Sequence, residues 1–78
     1  MLLLTEITFE EEGRKRENRI LINPYLITTV RQPGIYTLLT TVDGQNIKLS
    51  ETLFHIKKLL TKYDLSLLDS EVVKNSLK

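Results

Sequence analysis

Three turn-forming pairs, Asn23-Pro24, Pro33-Gly34 and Asp43-Gly44, cut the middle of the chain into short runs rich in β-branched residues. Proline supplies no amide hydrogen and Asn-Pro favours a turn, so no strand ladder runs on through residue 24. Pro-Gly suits a type II turn, because proline fixes φ at the first central position and glycine permits φ > 0 at the second. Asp-Gly is a two-residue hairpin signal. Runs this short between turns lead to antiparallel hairpins.

The runs themselves agree. Residues 2–9, LLLTEITF, alternate with period two, placing Leu3, Thr5, Ile7 and Phe9 on one side and Leu2, Leu4, Glu6 and Thr8 on the other. Residues 10–18, EEEGRKREN, hold no apolar side chain and read as a solvated hairpin loop around Gly13. Strands are expected over 19–22, 25–31, 35–42 and 45–49. The first strand is expected at a sheet edge, with Leu2 and Leu4 on its second face, an edge that invites pairing with another strand.

The period then changes. Ser50 can cap a helix and Glu51 suits the positive end of its dipole. Across 51–63, Leu53, Ile56, Leu59, Leu60 and Tyr63 form one apolar stripe at 3.6-residue spacing, with Lys57, Lys58 and Lys62 elsewhere on the wheel. The tail, 64–78, reads as a short extended piece over Leu65, Leu67 and Leu68. Asp69 or Ser70 then caps a helical turn through Glu71, Val72, Val73 and Lys74. The expected fold is α+β: one small domain whose four- to five-stranded antiparallel meander, a bent sheet or small partial barrel, is covered by the amphipathic helix.

Composition bounds the rest. Seventy-eight residues leave room for one core, and a domain this small buries only roughly 60% of its unfolded surface. Eleven basic against ten acidic residues give almost no net field to attract nucleic acid or anionic lipid. The absence of cysteine excludes disulfides, thiolate nucleophiles and Cys-based metal sites. No window approaches the roughly 20 apolar residues a spanning helix needs, so no membrane insertion and a cytoplasmic location are expected.

Candidate chemistry is sparse. His55, the lone histidine, falls on the wheel with Lys58 and Lys62 and lacks the companions of a metal site or catalytic triad. The carboxylates are scattered and the glycines stand singly at turns, without a phosphate-cradling pattern. No catalytic, cofactor or metal residue is assigned. Phe54 lies outside the apolar stripe, near Lys58; it marks either a partner surface or a site that Leu65, Leu67 or Val72 covers. Arg14, Lys15, Arg16 and Arg19 form the densest basic cluster. Its alternatives are a hairpin tip balanced by Glu10, Glu11, Glu12 and Glu17, or a finger for phosphate.

The segments Ile22-Asn23-Pro24-Tyr25-Leu26-Ile27-Thr28-Thr29-Val30, Asp43-Gly44-Gln45 and Leu49-Ser50-Glu51-Thr52, with Pro33 and Ile35 to Leu39, resemble the small bacterial FlbD/SwrD flagellar family over about residues 19–60. That resemblance implies a role in swarming motility. Tyr36, Thr41, Asp43 and Gly44 also resemble the strand–hairpin step of LytTR-type DNA-binding domains, which implies contact with DNA.

Together these readings lead to a non-enzymatic accessory or regulatory protein, of bacterial or phage type. Its partner is another protein or a second copy of itself, met through Leu2, Leu4, Phe54 and Lys58. The alternative is a nucleic-acid-binding regulator that uses Arg14, Lys15, Arg16 and Arg19, helped by Lys57, Lys58 and Lys62.

Overall fold

A computed structural model describes residues 1–67 and 72–75. In chain order these form β1 (Leu2–Phe9), β2 (Lys15–Ile22), a 3-10 turn (Pro24–Leu26), β3 (Ile27–Arg31), β4 (Thr37–Thr41), β5 (Asn46–Leu49) and the helix α1 (Leu53–Thr61). Two short strands follow, β6 (Leu65–Leu67) and β7 (Val73–Asn75). The class is α+β, with a five-stranded antiparallel sheet and one helix among the described residues.

The strand order is β2-β1-β5-β4-β3, which differs from a sequential meander. The β1–β2 hairpin and the β3–β4–β5 meander are separate local units, and β1 joins them by pairing with β5. The sheet stays open, because β2 and β3 share no ladder. Pro24, missing its amide hydrogen, and the 3-10 turn around it separate these two strands. The expected edge position of the first strand is therefore wrong: β1 is flanked by β2 and β5, and β2 is an outer strand.

The core explains why. Leu2 and Leu4 are 3% and 0% exposed, not surface residues as expected. Cross-strand partners share a face, so the ladder pairs Leu2 with Ile22 and Leu4 with Ile20, and Val30 with Leu39 across β3 and β4. These side chains line the concave face with Leu49, and Ile56, Leu60 and Leu65 pack against them. A β-bulge between Ile27 and Thr29 lets two residues of unlike parity, Ile27 and Val30, both reach this core. Thr28 closes the bulge by donating its hydroxyl to the Thr40 carbonyl at 3.1 Å.

Several local expectations shift. β2 starts at Lys15, so the solvated loop shrinks to a tight turn closed by the Glu10 amide donating to the Arg14 carbonyl at 2.9 Å. Gly34 has no positive φ, so the type II geometry is not adopted and residues 32–36 form an open bend. The hairpin at Asp43-Gly44 has a three-residue loop, Val42–Gly44, because the Thr41 amide donates to the Gln45 carbonyl and Gly44 takes the left-handed position at φ +88°. The helix is capped by Thr52, whose hydroxyl accepts the His55 amide at 3.1 Å, rather than by Ser50. Ser50 is drawn instead into the sheet: its amide donates to the Thr5 carbonyl.

Within the tail, Val72 bridges Thr29 and Val73–Asn75 pairs with Leu65–Leu67, so the expected helical turn is replaced by extended backbone at residues 72–75. The expectations for Leu68, Asp69, Ser70 and Glu71 lie outside the described residues. The chain start is tied down by Tyr63, whose hydroxyl accepts from the Met1 amino group and donates to the Met1 carbonyl, both at 3.1 Å.

The face assignment has a direct test in paired truncations. Leu4→Ala is expected to lower unfolding free energy in urea by about 2–5 kcal/mol. Leu3→Ala, one residue away on the outer face, is expected to change it by about 0.5 kcal/mol or less.

Candidate functional site

Where the curled sheet fails to close, the end of β2 faces the β4–β5 loop across a groove of about 650 Å³. Ile20, Ile22 and Ile47 form its inner wall, and Met1, Leu26 and Val42 its rim. The rim residues are exposed, Leu26 at 47% and Val42 at 62%. They are held in place by local structure: Leu26 ends the 3-10 turn, and its carbonyl accepts the Val42 amide at 2.8 Å. Glu6, Asn23 and Asp43 supply polar groups around the apolar wall. An apolar concavity with a few polar groups at its border is suited to an apolar segment, since contact releases water from surface that folding leaves wet.

Asp43 is fixed on this border. The Thr41 hydroxyl donates to its carboxylate and holds the carboxyl below the usual range, outweighing the desolvation that pushes the other way. The amide hydrogens of Gln45 and of Asp43 itself act in the same direction as Thr41.

The expected site residues are dispersed. Leu2 and Leu4 belong to the core and offer nothing to a partner. Phe54 is 69% exposed, and Leu65, one of the residues expected to cover it, goes into the core instead. The Lys58 ammonium lies 5.3 Å from the Phe54 ring centroid, so the two do form one small patch on α1. His55 is exposed on the same helix.

The basic cluster does not act as a unit. Arg14 meets Glu12 at 3.3 Å, Arg16 meets Glu10 at 3.1 Å and Lys15 meets Glu17 at 3.3 Å, all near the hairpin tip. These are exposed pairs of little stabilising value, but they cancel the field of the tip. Strand alternation divides the cluster as well: Lys15 and Arg19 lie on the outer face with their partners Phe9 and Thr5, while Arg16 lies on the opposite face.

The outer face carries a feature that sequence reasoning missed. The Lys48 ammonium sits 5.3 Å from the Phe9 ring centroid and 5.1 Å from that of Tyr36. This cation–π pair connects β1, β5 and the entry to β4. No sequence spacing signals it, because it depends on the β1–β5 pairing. The groove escaped notice for the same reason, since Leu26 and Val42 read as ordinary strand residues. Compared with protein families, curated proteins and solved structures, the chain matches none.

The Asp43 contacts predict a pH dependence. A carboxyl whose folded pKa is lowered contributes stability above its unfolded value and loses that contribution as pH falls through the folded value. The stability advantage of the wild type over Asp43→Ala is thus expected to hold steady above about pH 5 and to shrink below about pH 4, as followed by urea unfolding across that range.

Proposed function

We propose that this protein is a non-enzymatic accessory module that works through protein–protein contact, seating an apolar segment of another protein in the groove between β2 and the β4–β5 loop. The observation that carries this reading is the pair Leu26 and Val42, two large apolar side chains held in the open by a backbone hydrogen bond beside a concave apolar wall. Leaving such a rim wet costs solubility and contributes nothing to folding, so a partner is its physical rationale. A bacterial or phage-type setting, and the motility role implied by the resemblance to the FlbD/SwrD family, belong to the same proposal.

The nucleic-acid reading has weaker support. Polyanion binding rests on cations free to replace counterions. Arg14, Lys15 and Arg16 each already face a carboxylate within 3.3 Å. The Lys58 ammonium is engaged with Phe54. Arg19 stands on β2, apart from Lys57 within α1 and Lys62 at the C-terminal cap of that helix.

Photo-crosslinking in the native cell tests the choice. A benzophenone amino acid is placed at Leu26, at Val42, or at Lys57 on the far helix as a control. Discrete protein adducts are expected from Leu26 and Val42 and not from Lys57, and Ile47→Asp is expected to abolish them. Adducts to nucleic acid, or equal labelling from all three positions, would rule out the groove as the working surface.

A further inference from the structure

The sheet has two outer strands, and they differ. The outer side of β3 is met by Val72, which bridges Thr29. β2 has no strand on its outer side among the described residues, although it is one of the two longest strands. An open edge of this length is a template for pairing.

Its hydrogen-bonding groups can be assigned. The Thr5 carbonyl accepts from the Ser50 amide and the Thr5 amide donates to the Glu51 carboxylate, so both point away from β2. Thr5 and its partner Arg19 are therefore a non-hydrogen-bonded pair, and the Arg19 amide and carbonyl point outward. Alternation gives the same direction to Lys15, Glu17 and Leu21. Only registers that set these four residues against one another can form a ladder on the free edge.

For two copies meeting antiparallel about a two-fold axis, this leaves few choices. Centring on residue 17 sets Glu17 against Glu17 and Lys15 against Arg19. Centring on residue 19 sets Arg19 against itself. Centring on residue 16 gives Lys15–Glu17 pairs but opposes Arg16 to itself and runs into the hairpin turn. Centring on Asn18 sets Glu17 against Arg19 twice, once on each side of the axis. It also lays the Lys15 stem over Leu21, which is 64% exposed. Like charges directly opposite are destabilising and opposite charges stabilising, so of these four centres the one on Asn18 is favoured.

We infer that β2 is a self-association edge: two copies of this chain pair antiparallel through Lys15–Leu21, with Asn18 on the two-fold axis and Glu17 facing Arg19 of the second copy, to give a continuous ten-stranded sheet. This edge meets the groove only at Ile20 and Leu21, and the register tests read pairing with a second copy rather than capture of a partner, so their failure is distinguishable from that of the partner-binding reading.

Single cysteines test the register, because the chain has none of its own. A non-hydrogen-bonded antiparallel pair brings Cα atoms to about 4.5 Å, within disulfide range. In the inferred register, the two copies of residue 16 are offset by four positions, roughly 13 Å. Under mild oxidation Asn18→Cys is expected to form a covalent dimer, and Arg16→Cys to remain monomeric. Circular dichroism of the reduced proteins verifies their folds. Cross-linking of Arg16→Cys instead, or of neither variant, would overturn the inference.

Charge exchange supplies a second measurement by sedimentation equilibrium. E17R and R19E are each expected to weaken dimerisation by about tenfold or more. Their combination is expected to restore it, since arginine and glutamate again face each other across the axis. A double variant no tighter than the single ones would also overturn the inference.

Discussion

The molecule depends on a narrow junction between β1 and β5. The ladder there consists of one pair, Glu6 with Leu49. Two further bonds flank it: the Ser50 amide reaches the Thr5 carbonyl at 2.9 Å, and the Glu51 carboxylate accepts the Thr5 amide at 3.0 Å. A two-stranded hairpin alone is marginal in water. This junction turns a hairpin and a meander into one five-stranded sheet whose concave side can bury Leu4, Leu39 and Leu49 together. Glu51 does a second task, since its carbonyl accepts the Thr37 hydroxyl just before α1 begins. The start of the helix is thus fixed to β1 and β4 at once, which directs Ile56 and Leu60 into the concave face.

This arrangement also determines what is left outside. With β1 in the interior of the sheet, β2 has no strand on its outer side among the described residues. Without a ladder between β2 and β3, a groove remains between the end of β2 and the β4–β5 loop. The groove and the outer edge of β2 both follow from a sheet that does not close. The charged hairpin tip, by contrast, is internally neutralised, because Glu10 and Glu12 sit within reach of Arg14 and Arg16.

What the sequence made legible follows the range of each interaction. The Asp43-Gly44 hairpin and the apolar stripe of α1 are encoded within a dozen residues, and both could be read directly. The β1–β5 pairing joins residues more than forty positions apart, and nothing local announces it. That one omission misplaced Leu2 and Leu4, because the alternation of 2–9 identifies two faces without saying which of them the helix covers. It also concealed the role of Ser50 and Glu51, which serve the sheet while Thr52 serves the helix. Pro33-Gly34 failed for another reason: a turn-favouring pair only permits a type II turn, and here the chain takes an open bend instead. Phe54 was recognised by its departure from the stripe, whereas Leu26 and Val42 could be recognised only once the groove between distant segments was known.

Amide hydrogen exchange in dilute solution tests most directly whether β1 is held inside the sheet by the Thr5 contacts while the outer groups of β2 pair with no strand among the described residues. Slow exchange is expected at the Thr5 and Ser50 amides and fast exchange at the Glu17 and Arg19 amides, with Glu51→Ala speeding exchange at Thr5 while Thr52 still caps the helix. Fast exchange at Thr5 together with strong protection at Glu17 and Arg19 in the monomer would contradict that arrangement.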